Sequence, residues 1–222
     1  MNIFANNAER KRVEEAMRET GRLPPGQVAT LKWPVLHYGT VPGFEPQSWD
    51  FRVWGRVEQP LRLSWGEFQA LPQLEVLADM HCVTRWSRFD NRWEGVAARE
   101  VIARARPRPE ARYALVHAES FDPASPPWQA GGTPGRQGYT ANVPLKDLLE
   151  PKVLFALKHD AELLTPEHGY PLRLVVPHLY SWKSVKWVRG LELLADDEPG
   201  FWEQNGYHRY GDPWNEQRYD TD

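Results

Sequence analysis

Met80-His81-Cys82-Val83-Thr84-Arg85-Trp86-Ser87 carries the only cysteine of this 222-residue chain. Leu74 to Cys82 suits a strand that delivers the thiol near its end. A lone cysteine in that place has three readings. It is commonly a small buried hydrophobe. It is a nucleophile where positive groups favour the thiolate. His81 and Arg85 are near in sequence, but neighbours on a strand point to opposite faces, which weakens a His81–Cys82 dyad. The third reading is a soft ligand to a redox metal. One thiolate does not hold a metal alone, so this reading requires a cofactor that brings its own ligands. The seven histidines give no tight pair of zinc-site spacing with Cys82.

Before this stretch, residues 7–20 read as a peripheral helix, with Asn7 as cap, Val13 and Met17 on one face and Gly21 as stop. Pro24-Pro25-Gly26 breaks the chain, and residues 31–48 read as an ordered aromatic loop. Trp49 to Val57 suits a strand, and Ser64 with Glu67 has the spacing of a capping box for a short helix to about Leu71. After the cysteine, residues 96–105 read as helix, Tyr113 to Ala118 as strand, 121–138 as a long loop and Leu145 to Leu149 as a short helix. Val153 to Leu157, Leu172 to Val176 and Val185 to Leu193 are further strand candidates. Many strands, few short helices and long loops in no regular alternation predict an α+β fold with mixed sheets. The expected organisation is a peripheral helix over 1–23 and one domain over 24–222.

The formal charge is −3, so no basic field for nucleic acid exists. Eleven Trp and 20 Pro suggest a core of large side chains with rigid turns. No apolar run of about 18 residues predicts a membrane span. One cysteine needs no oxidising compartment, and MNIFANNAERKRVEEAM lacks a signal-like apolar core, so a cytoplasmic location is expected.

His168-Gly169-Tyr170-Pro171-Leu172-Arg173 and Tyr180-Ser181-Trp182-Lys183-Ser184-Val185-Lys186 place Arg173, Lys183 and Lys186 among apolar and aromatic residues. They read either as solvated charges on a strand face or as an anion pocket, with an Arg fork and Lys point charges suited to phosphate. The turn at Ser184 would add backbone N–H donors. No glycine pattern of a nucleotide site occurs.

Together these segments resemble the sulfite oxidase family of molybdopterin-dependent oxidoreductases. Cys82 followed by Trp93-Glu94-Gly95 is similar to the metal-ligand segment, and residues 168–177 with 180–186 to the cofactor cradle. The match extends to Leu36-His37-Tyr38-Gly39-Thr40-Val41-Pro42 and to Tyr139-Thr140-Ala141-Asn142. The ending, from Gly200-Phe201-Trp202-Glu203 to Tyr219, is similar to that of short bacterial members. The resemblance implies a molybdenum–molybdopterin cofactor with two dithiolene sulfurs, and Cys82 as the metal's protein ligand. It implies cofactor contacts from Leu36, His37, Tyr38, His168, Arg173, Ser184, Val185 and Lys186. Tyr139 and Arg85 would act beside Cys82 on a small-molecule substrate. Leu36 stands where sulfite oxidases present an arginine, which puts sulfite itself in doubt. The implied reaction is two-electron oxygen-atom transfer on a sulfite-like, sulfoxide or N-oxide compound. With no heme or flavin domain expected, electrons would pass to or from a separate heme or flavin protein. A cofactor-free thiol hydrolase using Cys82 and a non-catalytic binding module are the alternatives.

Overall fold

The computed structural model describes residues 3–119 and 138–221. The loop expected over 121–138 lies outside the described residues except for Gly138. In chain order the strands are β1 (Val28–Ala29), β2 (Asp50–Gly55), β3 (Leu61–Ser64), β4 (Gln73–His81), β5 (Trp86–Ala97) and β6 (Tyr113–Ala118). They continue as β7 (Thr140–Pro144), β8 (Leu154–His159), β9 (Glu162–Leu163), β10 (Arg173–Val175) and β11 (Val188–Leu194). The helices are α1 (Ile3–Glu19), α2 (Trp65–Gln69), α3 (Ala98–Ala105), α4 (Leu145–Leu148) and α5 (Phe201–Gln204).

The strands form two mixed sheets, the α+β architecture that the sequence predicts. In the first, β5 pairs antiparallel with β4 along one edge. Its other edge takes β1 in parallel at one end and β8 antiparallel at the other. β10 and β9 extend the sheet from β8. The second sheet has the order β3-β2-β11-β6-β7, with β2 and β11 parallel. The main core draws on both sheets and includes Phe51, Phe68, Phe155, Leu174 and Leu191. A second core of Val76, Met80, Trp93, Leu154 and Ala156 carries Trp33 and Trp86 against it. This second core supports the functional site.

β5 is the largest element the sequence reading passes over. Its inward positions include Ser87 and Asn91 beside Phe89 and Trp93, so the apolar alternation that marks a strand is interrupted. Both polar residues are satisfied: His81 Nδ1 lies 2.8 Å from Ser87 Oγ, and Asn91 Nδ2 donates to Ala78 O at 3.1 Å. Gly95 sits at a register shift between β5 and β8. A Cβ there would lie 2.0 Å from Phe155 O, which gives the Trp-x-Gly pattern a packing reason.

Other boundaries move. α1 begins at Ile3, so Asn7 lies within it rather than capping it; Val13 and Met17 pack on Leu23, Ala29 and Phe89. The Ser64–Glu67 capping box is present. The strand expected from Val185 starts at Val188, because the chain turns at Trp187 with φ 53°. Lys183, expected in an anion pocket, is instead buried beside Glu203 at 2.6 Å, both side chains fully covered. Its ammonium donates to Asn142 O, Asn142 Oδ1 and Arg209 O. This pair fastens the C-terminal segment to β7.

Candidate active site

The β4–β5 hairpin presents Cys82. Its N–H donates to Trp86 O at 2.8 Å, and Arg85 N–H donates back to Cys82 O at 3.0 Å. Val83, Thr84 and Arg85 form the tight turn, and Arg85 takes the left-handed conformation at φ 72°. That is the position such three-residue hairpins normally give to glycine. The buried thiol lies 3.2 Å from Thr84 Oγ1. It lines a cavity of about 300 Å³ together with residues 33–34, 36–38, 181–182 and 184–187 and with Met80, Trp86, Tyr139, Arg173, Trp202 and Tyr207.

His81 faces away from this cavity, as strand alternation requires. Its ring meets Trp214 edge-on at 5.1 Å and lines a separate depression with Arg22 and Asp79. Among the described residues, no group of three or more His, Cys, Asp or Glu is placed to hold a metal.

The cavity is unusual in its charge. Arg173, at the start of β10, is buried under the rings of Trp33 and Trp93, 5.5 and 5.9 Å from their centroids. It donates to His168 O at 3.1 Å, and its Nε has no acceptor. Burial pushes its guanidinium down to about 10. Lys186 donates to Leu36 O and Glu167 O at 2.8 and 2.6 Å. Burial first, then Arg173, brings it down to about 7. Among the described residues, no Asp or Glu lines the cavity. The N–H groups of Val185 and Lys186 have no acceptor among the described residues. Trp86 likewise has a buried indole N–H without one. Ser184 Oγ accepts from Val176 N at 2.9 Å and so braces this turn. Unsatisfied buried donors of this kind are costly and call for an anionic partner.

Of the sequence-predicted residues, Cys82, Tyr139, Leu36, His37, Tyr38, Arg173, Ser184, Val185 and Lys186 share the cavity. His168 stands one layer behind, stacked on Trp33 at 3.8 Å. Arg85 is exposed and does not line the cavity; an added Cβ on Gly26 would sit 3.0 Å from its Nη1. Arg88 also turns elsewhere, to Asp160 at 2.7 Å. Tyr139 donates its hydroxyl to Trp182 O at 2.6 Å. Burial, then Glu203, raises that phenol well above its usual range, so it keeps its proton. The sequence reading assigned no role to Trp33, Trp86, Trp182, Trp187, Trp202 and Tyr207. Their excess of indoles was visible, but a ring's place in a wall depends on segments far apart in the chain.

Two predictions arise from this geometry. Because Arg85 serves the turn through its backbone, Arg85→Gly should keep stability or raise it by up to about 1 kcal/mol. Turnover should stay within about twofold of wild type; a hundredfold loss of kcat at unchanged stability would restore a catalytic guanidinium. Second, burial pushes His81, His159 and His168 each down to about 4. Between that value and the ordinary value near 6.5, the unfolded chain binds the extra protons, so stability falls as pH drops through this window. Urea midpoints from pH 7 to 4 should show this fall, and His159→Gln should remove about 2 kcal/mol of it. An unchanged slope in that variant would refute its part.

The family described as "Oxidoreductase molybdopterin binding domain" matches residues 38–202. The chain belongs to this molybdopterin-binding oxidoreductase family. It is 45% identical over 205 residues to the "Uncharacterized oxidoreductase YuiH" of Bacillus subtilis (strain 168), covering 92% of this chain and 95% of that protein. It is 32% identical to the catalytic subunit of protein-methionine-sulfoxide reductase, MsrP, of Gluconobacter oxydans, over 76% of this chain and 54% of the relative. Sulfite oxidase of Gallus gallus is 32% identical over 75% of this chain and 39% of its own length. The chain thus spans about half the length of this MsrP and less of the sulfite oxidase. The sulfane dehydrogenase SoxCD from Paracoccus pantotrophus shares the fold, with a TM-score of 0.57 at 22% identity over 71% of this chain and 41% of that chain. No helix among the described residues is long and apolar enough to cross a membrane.

Proposed function

We propose that the protein is a molybdenum-cofactor-dependent oxidoreductase that transfers an oxygen atom to or from a small polar substrate: a sulfoxide, an N-oxide or a sulfite-like compound. One observation carries the reading. Among the described residues, a lone buried thiol shares a carboxylate-free cavity with two cations, Arg173 and Lys186, and with unsatisfied N–H donors. A molybdopterin, when bound, supplies a redox metal with two sulfur ligands and a phosphate.

This donor set fits that group. Cys82 would give the metal a third, soft sulfur. Arg173, Lys186 and the N–H groups of Val185 and Lys186 would hold the phosphate by charge-assisted hydrogen bonds. Binding an anion there would favour the charged form of Lys186, so cofactor retention should draw on its proton. His37 and Tyr38 line the exposed side, and the indole of Trp33 keeps His168 behind the wall. Tyr139 holds its proton on a hydroxyl fixed by Trp182 O, positioned to orient a substrate oxygen. The protein binds, orients and tunes, while the redox chemistry is the cofactor's. The nearest-sequence imidazole, His81, is turned to Ser87 and Trp214, so a thiol hydrolase would have to use His37 across the cavity.

The same reading assigns electron exchange to a separate heme or flavin protein. It also assigns a cytoplasmic location, since one cysteine makes no demand for an oxidising compartment. Elemental analysis of protein purified from a host that makes molybdopterin tests the central claim. Near-stoichiometric molybdenum with a visible thiolate-to-metal absorption is expected. A folded protein from such a host with neither metal nor releasable pterin would overturn it.

A further inference from the structure

The polarity of the cavity is inverted from floor to mouth. Cys82, Arg173, Ser184 and Trp187 are buried, whereas Leu36 and Tyr38 are each 50% exposed and Trp202 and Tyr207 are half-buried. The mouth is therefore aromatic and aliphatic. The rings of Trp202 and Tyr207 stack at 4.8 Å, and Tyr38 meets Trp202 at 6.0 Å and Phe201 at 4.9 Å. Tyr207 meets Trp182 edge-on at 5.1 Å.

This aromatic rim is held in place. Glu203 accepts the indole N–H of Trp182 at 2.8 Å while pairing with Lys183. Gly211, at φ 83°, lies so close to the Trp182 ring that a Cβ would stand 2.7 Å from it. Preorganised rings bind without paying for their own ordering. They bind selectively, because an aromatic face is negative and repels an anion, and an anion stripped of water needs a cation nearby. Of the two cations, Arg173 lies at the other end and is 3% exposed, while the Lys186 ammonium, beside the Leu36 backbone, is taken up by two carbonyls.

We infer that the Trp202–Tyr207–Tyr38 rim is the substrate-recognition subsite and takes an uncharged oxide bearing an apolar or aryl substituent, not an inorganic oxyanion. The inference rests on the proposed oxidoreductase reading and narrows its substrate class. C-terminal residues Trp202 and Tyr207 thereby become specificity determinants, and neither needs to touch the metal.

Calorimetric titration of the molybdenum-loaded protein with methyl phenyl sulfoxide and with sulfate, a redox-inert oxyanion, tests this without turnover. The sulfoxide should bind at least about tenfold more tightly than sulfate. Tyr207→Ala and Trp202→Ala should each weaken it about fivefold at unchanged molybdenum content, the scale of one aromatic pair. Leu36→Arg, at a half-exposed position of the mouth, should raise sulfate affinity and shrink the preference. Sulfate binding as tight as the sulfoxide in wild type would overturn the inference, as would full sulfoxide affinity in folded Tyr207→Ala. A folded sample without molybdenum defeats the parent reading instead; because sulfate could then occupy the empty anion site, methyl phenyl sulfoxide binding to that protein and to its Tyr207→Ala and Trp202→Ala variants decides whether the rim binds neutral oxides.

Discussion

Cys82→Ser should lower turnover by at least about a thousandfold while leaving the unfolding midpoint within about 1 kcal/mol of wild type. Serine preserves the size of the side chain and a hydroxyl able to meet Thr84 Oγ1, now 3.2 Å from the sulfur. The hairpin hydrogen bonds run through the backbone and do not involve the sulfur. What disappears is the thiolate, the soft ligand that a redox metal would require. The measurement pairs sulfoxide reduction by an artificial donor with metal content and the visible spectrum. Loss of activity together with the absorption band identifies a ligand. Activity retained above a tenth of wild type would defeat that role, and activity lost from a metal-free enzyme would point to thiol chemistry.

Arg173→Met should separate folding from function in an instructive direction. The guanidinium is buried without a carboxylate, and its fall to about 10 corresponds to a cost of roughly 3 kcal/mol in the cofactor-free protein. The depressed value means that this cost is fully present at neutral pH and recedes only as pH rises through about 10. Against it stand a hydrogen bond to His168 O, a weak one to Met80 Sδ and two ring contacts, together worth about 2 kcal/mol. The cofactor-free variant should therefore be as stable as wild type or up to about 1 kcal/mol more stable. Retention of the phosphate-bearing cofactor should fall at least about a hundredfold. Denaturant melts of the cofactor-free protein and pterin release on dilution read the two effects. A variant destabilised by more than about 3 kcal/mol that still keeps its pterin would show that Arg173 is structural.

The sequence made the fold class legible through short strands, turn residues and the absence of crossover helices. It also singled out the thiol, Arg173, Lys186 and the 184–186 turn, which the fold gathers around one cavity. It did not show β5, because Ser87 and Asn91 occupy inward positions that only long-range partners make tolerable. Lys183 and Arg173 look alike in sequence, yet one has Glu203 at 2.6 Å and the other has no acid beside it among the described residues. That difference is made by a residue 20 positions downstream, beyond the reach of local pattern. Arg85 was read through its charge, whereas the hairpin uses its backbone angle.

The Lys183–Glu203 pair also sets an order of events during synthesis. Lys183 is made before Glu203, and until the later segment docks it is a cation bound for a dry interior with no counter-charge. The chain thus cannot finish the cavity wall when Lys183 emerges: Tyr207 and Gly211, which pack on Trp182, and Trp202, which stacks on Tyr207, all lie further along the sequence. Every nascent intermediate has an unfinished pocket on the side where these rings belong. Completion of the site is consequently coupled to the docking of one short segment around Glu203.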